Sequence, residues 1–303
     1  MKSTAFVASV IVLMLGSTQK LFAQYPYRDD IYYENALTYE LGGSIGAMNS
    51  FTDLGGRKGI GKKFIKDLNV RNTQFTGSIF LSAVYKYAIA LRIEATWGSV
   101  KADDKILEAV KETTLGRYDR NLSFKTLINE VTLVAEIHPL YFKKHTGGER
   151  LPRLSPYLLG GIGFFSFNPK AKLRDEWIEL QPLSTEGQGF SEYPTRKPYK
   201  LKQLNFPVGA GIKYKISPLF NFSAECVYRI LSTDYLDDVS TNYIDQNVFA
   251  NHFTGGQLLN ALLLNDRQRE LNPSHIPLKG DIRGNPKNND AYFTINLKLG
   301  FIF

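Results

Sequence analysis

The last thirteen residues, Ala291-Tyr292-Phe293-Thr294-Ile295-Asn296-Leu297-Lys298-Leu299-Gly300-Phe301-Ile302-Phe303, alternate with a period of two. From Phe293 onward the odd positions are all apolar. Between them stand Thr294, Asn296, Lys298 and Gly300, and Ile302 breaks the pattern. About eleven residues of such alternation suffice for a tilted strand to cross a bilayer. A strand with one greasy and one wet face is the building unit of an outer-membrane β-barrel.

Seven further segments fit the same template. Leu37, Tyr39, Leu41, Ile45 and Ala47 alternate with Thr38, Glu40 and Ser44. Phe75, Ile79, Leu81 and Tyr85 alternate with Thr76, Ser78, Ser82 and Lys86. Ile89, Leu91, Ile93 and Trp97 stand against Arg92, Glu94 and Thr96; Val131, Leu133, Ala135, Ile137 and Tyr141 stand against Glu130, Thr132, Glu136 and His138. A Gly-rich fifth segment over 157–167 has ambiguous parity. Phe206, Val208, Ile212 and Tyr214 then face Lys213 and Lys215, and Phe220, Phe222, Cys226, Tyr228 and Ile230 face Ser223, Glu225 and Arg229. The connections alternate in length: about 25, 30, 37 and nearly 60 residues on one side, against tight turns at Tyr87-Ala88 and Ser217-Pro218 and roughly a dozen residues around Gly147-Gly148 on the other. The expectation is an all-β, antiparallel transmembrane barrel of eight strands, with ten as the alternative. Its long loops would be extracellular and structured, with helix-like apolar spacing over 103–118 and 254–271. Aromatics near strand ends, Tyr85, Tyr87, Trp97, Tyr141, Tyr214, Phe301 and Phe303, match interfacial girdles.

The N-terminus reads as a secretory signal. Lys2 supplies the positive end, an apolar run extends from Ala5 to Gly16, and Leu21-Phe22-Ala23 offers a cleavage site. This predicts a signal peptide over 1–23 and a barrel domain over 24–303, integral to the outer membrane. No later run reaches the ~20 apolar residues of a membrane helix. The formal charge of +8 would suit nucleic acid, but export argues against that partner. Cys226 has no second cysteine to pair with and sits on the apolar parity, as a small lipid-facing side chain.

On the polar parity Glu40, Arg92, Glu94, Glu130, Glu136, Lys213, Lys215, Glu225, Arg229 and Lys298 form an expected lumen charge network, because charges in a narrow barrel must pair or be hydrated. The run Gly56-Arg57-Lys58-Gly59-Ile60-Gly61-Lys62-Lys63 imitates a phosphate loop but has Lys63 where the magnesium-binding Ser or Thr belongs. Read as a basic loop, Arg57, Lys58, Lys62, Lys63 and Lys66 would contact lipopolysaccharide phosphates. Asp234, Asp237, Asp238 and Asp245 carry hard oxygen ligands but fit no EF-hand spacing, so turn and cap roles are expected and no metal. Among the four histidines no metal or hydrolase motif occurs; His252 with Ser274 or Ser240 is the one pairing a lipid hydrolase could use. Neither catalytic residues nor cofactors are expected, and the chain reads as non-enzymatic.

Several strings resemble a known family. They include Arg120-Asn121-Leu122-Ser123-Phe124-Lys125, Ser155-Pro156-Tyr157-Leu158-Leu159-Gly160-Gly161, Phe167-Asn168-Pro169-Lys170, Arg196-Lys197-Pro198-Tyr199 and, most specifically, Gln181-Pro182-Leu183-Ser184-Thr185-Glu186-Gly187-Gln188-Gly189, Thr233-Asp234-Tyr235-Leu236-Asp237-Asp238-Val239-Ser240 and Arg283-Gly284-Asn285-Pro286-Lys287-Asn288-Asn289-Asp290. In order, they resemble the PorG-like outer-membrane barrels of Bacteroidota. The resemblance implies a structural, non-enzymatic component of the type IX protein secretion machinery, associated with a periplasmic ring of PorK and PorN type. The partner surface would then be the short periplasmic turns, with Lys143, Lys144, His145, Glu149 and Arg150, or the lipid-facing wall. The alternative is a ligand-binding or adhesive barrel that works through its extracellular loops.

Overall fold

The computed structural model describes residues 36–56, 68–114, 116–142, 152–276 and 279–303. The signal-peptide expectation therefore falls outside the described residues. Eight long strands close a ring: β1 (Leu37–Phe51), β2 (Gln74–Tyr85), β3 (Ile89–Asp103), β4 (Ser123–Ile137), β5 (Leu154–Ser166), β8 (Lys202–Lys215), β9 (Phe220–Leu231) and β10 (Ala291–Ile302). Each pairs antiparallel with its neighbour, and β10 returns to β1 in a register from Glu40↔Ile302 to Phe51↔Ala291. The two remaining strands, β6 (Lys170–Leu173) and β7 (Glu176–Glu179), form a hairpin beyond the ring, attached to β4 at Lys125↔Lys170. The barrel has eight strands, and the ten of the alternative count would include this hairpin.

The parity of each strand decides its faces. In β10 the odd positions 295 to 301 are exposed and the even positions 294 to 302 are buried, so Ile302 turns inward. In β4 the even positions point in and the odd out over its full length. The outward side chains, among them Leu41, Ile45, Ile79, Leu91, Ile93, Leu133, Leu158, Val208, Ile212 and Leu297, make an exposed apolar belt around the whole ring. Water would not tolerate so large a contiguous patch on a free monomer. With no open edge, hydrocarbon can surround it without stranding a backbone donor or acceptor. The chain is an integral outer-membrane β-barrel. Cys226 lies on this exposed face. In β5 the inward Tyr157, Leu159 and Phe165 and the outward Leu158, Ile162 and Phe164 are all apolar, which is why its sequence parity was ambiguous.

Tight turns gather at the inner end. Lys86 and Tyr87 take φ of 48° and 57° in the three-residue connection between the paired Tyr85 and Ile89, one position earlier than the sequence suggests. Ser217 Oγ accepts from the backbone of Leu219 (3.2 Å) and Phe220 (3.1 Å) to close β8 onto β9. Tyr39 stacks on Phe303 at 6.0 Å and Phe220 lies 5.5 Å from Phe301 in the aromatic band of this end. At the outer end stand Trp97, Phe75 and the Phe51–Phe293 stack at 5.3 Å.

The long loops fold over the outer mouth. The expected helix at 103–118 is a 3-10 stretch (Asp104–Thr113) and one short turn, α1 (Arg117–Arg120). The expected helix at 254–271 is α3 (Gly255–Asn265), preceded by α2 (Phe249–His252) and followed by a 3-10 turn. These loops share an apolar core with the top of the barrel. Met48, Val100, Ile128, Phe165, Leu231 and Tyr292 from the strands pack with Leu122, Leu183, Leu236, Val239, Ile244, Phe249 and Leu264 from the loops. The lumen is thus ionic in its lower part and apolar at the top. The expected uniformly ionic interior holds only below that plug.

Leu297 sits midway along β10, between Ile45 and Ala224 on the lipid face. Leu297→Arg should destabilise the folded barrel by ~2–4 kcal/mol, whereas Phe303→Arg at the inner boundary should cost at most ~1 kcal/mol. Urea unfolding in lipid vesicles measures both, and equal costs at the two depths would contradict the membrane placement.

Candidate functional site

The inward charges of different strands reach one another across the lumen rather than along the ladder, where Arg92 stands opposite Ser82 and Val134, and most of them are buried. Arg92 is the hub. Its Nε lies 3.0 Å from Glu94, its Nη2 2.8 Å from Glu225, and its Nη1 contacts Glu136. Lys298 bridges Glu94 (2.6 Å) and Glu225 (3.1 Å). Lys213 bridges Glu40 (3.0 Å) and Glu136 (3.5 Å). Above them Arg229 pairs with Glu130 at 3.2 Å, and Glu130 also accepts from Tyr292 OH at 3.0 Å and Asn205 Nδ2 at 2.6 Å. Four cations thus meet five carboxylates along one strip of the lumen, seven of the nine groups joined around Arg92 and the Arg229–Glu130 pair set above them. Lys215 stands apart from it, at the inner mouth, with its Nζ 5.3 Å from the centre of the Tyr87 ring. Such a network fills the interior and ties six strands together at fixed relative heights.

Beneath the strip His138 has Ser155 Oγ 3.1 Å from Nδ1 and Glu136 Oε2 3.3 Å from Nε2. The order Glu–His–Ser imitates a hydrolase triad, and the sequence reading did not pair these residues. Their spacing in the chain carries no signal; only the β4–β5 register brings them together. Ser155 is 2 % exposed, and the adjoining cavity of about 30 Å³ has room for a water or two and no substrate. Glu136 is already engaged by Arg92 and Lys213, so the trio serves the charge network. His252, the other hydrolase candidate, bonds Glu192 at 2.9 Å and stacks on Phe190 at 3.9 Å; neither Ser240 nor Ser274 is its partner.

A second buried ionic knot lies in the loops. Arg283 donates from Nη1 to Glu186 (2.9 Å) and to the Asp238 carbonyl (2.7 Å), and from Nε to the Asn265 carbonyl (3.2 Å). Glu186 also accepts from the backbone of Ser240 and Thr241, each at 3.0 Å, and from Thr241 Oγ1 at 2.7 Å. Asp238 accepts from Tyr199 OH at 2.7 Å and from Thr185 Oγ1 at 2.5 Å. Arg120 pairs with Asp104 at 2.9 Å and donates to the carbonyls of Arg283 (2.5 Å) and Asp53 (2.8 Å). All four long loops are tied at this knot. Gly284 is needed there, because a Cβ would stand 2.7 Å from Asp53 Oδ2 and from the Ser240 nitrogen. Gly187, at φ of 73°, turns the chain beside Glu186.

Next to the knot Asp53, Asp234, Asp237 and Asp290 crowd together. Burial pushes Asp290 well up, reinforced by Asp237, Asp234 and Asp53. Burial also raises Asp237, with Asp53 adding to it, and lifts Asp234 to about 9. Burial brings Asp238 to about 6 against the pull of Arg283. Of the four aspartates considered for calcium, Asp245 instead caps the turn at Asn247 (3.0 Å) and Asp238 belongs to the knot. Among the described residues no three ligand-type side chains are set to hold a metal ion. The basic residues Arg57, Lys58, Lys62, Lys63 and Lys66 and the turn residues Lys143, Lys144, His145, Glu149 and Arg150 lie outside the described residues.

No family model matches the chain, and no curated protein is significantly similar to it. Among solved structures it is similar to the attachment invasion locus protein Ail of Yersinia pestis (9% identity, 88% of this chain and 97% of that one, TM-score 0.35). It is also similar to Neisserial surface protein A (8%, 88% and 97%, TM-score 0.37) and to OprG of Pseudomonas aeruginosa (10%, 88% and 96%, TM-score 0.39). The closed ladder, the apolar belt and the ionic interior make this chain a barrel without recourse to such distant likenesses.

Two outcomes follow from the geometry. Arg92→Met leaves Glu94, Glu136 and Glu225 without their shared guanidinium and should lower stability by ~3–5 kcal/mol, read as the denaturant midpoint in detergent; a change below ~1 kcal/mol would contradict the hub. The aspartates beside the knot have folded pKa values above the ordinary ~3.9, so the cap is most stable at low pH and loses stability as pH rises through those values. Hydrogen exchange should show 233–240 and 285–290 less protected at about pH 9 than at about pH 6, with the barrel strands unchanged; equal protection would speak against the cluster.

Proposed function

We infer that the chain is a non-enzymatic structural component of the type IX protein secretion machinery, holding a periplasmic ring of PorK and PorN type to the outer membrane. The observation that carries this reading is the convergence of the loop strings that resemble the PorG-like barrels. Glu186, Asp238, Arg283 and Arg120 come from four separate strings, and all meet in the one buried knot. Those strings therefore encode a single tertiary feature, and a resemblance spread over them extends to architecture. A filled lumen suits an anchor better than a conduit. The ring would be met by the inner turns, including 143–150, or by the lipid-facing wall.

A surface-recognition role is the second reading. It is favoured by the rigid cap, which has its own apolar core and displays Trp177, Ile276 and Ile282 at 51, 71 and 79 % exposure. Deleting the gene should block export of type IX cargo, and the tagged protein should co-purify with the ring lipoprotein from detergent-solubilised membranes. Normal cargo secretion in the deletion strain would remove the secretion role. Loss of function from changes confined to 167–204 or 232–290, with the inner turns tolerant, would favour surface recognition.

A further inference from the structure

One face of the barrel carries like charges opposite one another. Across β3 and β4 Lys101 pairs with Lys125, and across β4 and β6 Lys125 pairs with Lys170. All three belong to the outward side of the wall. Like charges directly opposed in a ladder repel. Lys170 has its own anion, Glu179 at 2.8 Å. Lys101, Lys125 and Lys202 have no carboxylate within ion-pair distance among the described residues.

The register fixes where this row stands. One level is Ala95, Val131, Phe164 and Leu204, wholly apolar and part of the lipid belt. The next level outward is Trp97, Asn129, Ser166 and Lys202, where the wall turns from apolar to polar. Above it come Leu127, 66 % exposed, and then the lysine row. A hollow of about 550 Å³ opens here between β4, β8 and the β6–β7 hairpin, lined by Lys125, Leu127, Lys170, Trp177 and Lys202. Trp177 roofs it, with the Lys125 Nζ 5.8 Å from its ring centre. An apolar floor that continues into the belt, below a cluster of uncompensated ammonium groups at the headgroup level, is complementary to a lipid with an anionic head.

We propose that this face binds a phosphorylated glycolipid of the outer leaflet. Its phosphates sit among Lys101, Lys125 and Lys202, and its acyl chains run down over Leu127, Val131, Phe164 and Leu204. The ligand neutralises the opposed lysines, which explains how the ladder accommodates them. The inference holds whatever the chain does in secretion.

Native mass spectrometry of the full chain in detergent, titrated in turn with lipid A, dephosphorylated lipid A, phosphatidylethanolamine and inorganic phosphate, tests this. Lipid A should be retained at least ~10-fold more tightly than its dephosphorylated form, a preference that weakens with salt. The triple variant Lys101→Gln, Lys125→Gln, Lys202→Gln should abolish that preference, while Lys197→Gln with Lys287→Gln, exposed lysines that do not line the hollow, should keep it. A heat-shifted band on gels confirms that each variant is folded; should the triple variant fail to fold, Lys125→Gln alone should still weaken the preference by ~3-fold. Equal retention of the two lipid A forms, undiminished preference in the folded variants, or displacement of lipid A by equimolar inorganic phosphate would overturn the proposal.

Discussion

A backbone in hydrocarbon has nowhere to place its hydrogen bonds except on itself, and every other property of this molecule follows from meeting that demand. The ladder closes when β10 pairs with β1 and β3 with β4. Closure fixes the faces: alternate side chains must enter a lumen too narrow for free water. Charges placed there have only one another to pair with. Arg92 reaches three glutamates, and Lys298 and Lys213 two each, because no single pair could offset the loss of hydration. The network is thus a consequence of the ring, and it also holds the strands in register.

The same economy recurs above the membrane, in different materials. The loops cannot rely on lipid, so they bury an apolar core of their own on top of the barrel and lock it with Arg283, Glu186, Asp238 and Arg120. Interior and cap meet at Phe165 and Tyr292, whose rings meet edge to face with centres 5.9 Å apart. Tyr292 faces both ways: its ring belongs to the apolar plug and its hydroxyl donates to Glu130 in the ionic strip. The barrel and its loops are mechanically one body at this residue.

Much of this could be read from the chain and some could not. Period-two alternation is a local property, so the strands, their faces and the inward ionic residues of β3, β4, β9 and β10 were legible directly. Parity fails where both faces are apolar, as at Leu158 and Leu159, because there a residue packs inward for shape and not for charge. Asp104–Thr113 shows helical apolar spacing yet winds as a 3-10 stretch, since Asp104 is drawn in to accept from Gly55, Leu122 and Arg120. Arg283 and Glu186 stand 97 positions apart, and no spacing rule connects them. The row Lys101–Lys125–Lys170 was equally hidden, because it exists only once the strand registers are known.

The most direct measurement is a cysteine scan along β10 after Cys226→Ala, with a fluorophore at each position from 293 to 302 and a quencher carried on lipid acyl chains. A closed barrel in the membrane gives quenching with a period of two, strong at 293, 295, 297, 299 and 301 and weak at the even positions between them. Uniform quenching, or labels equally open to water on both parities, would contradict it.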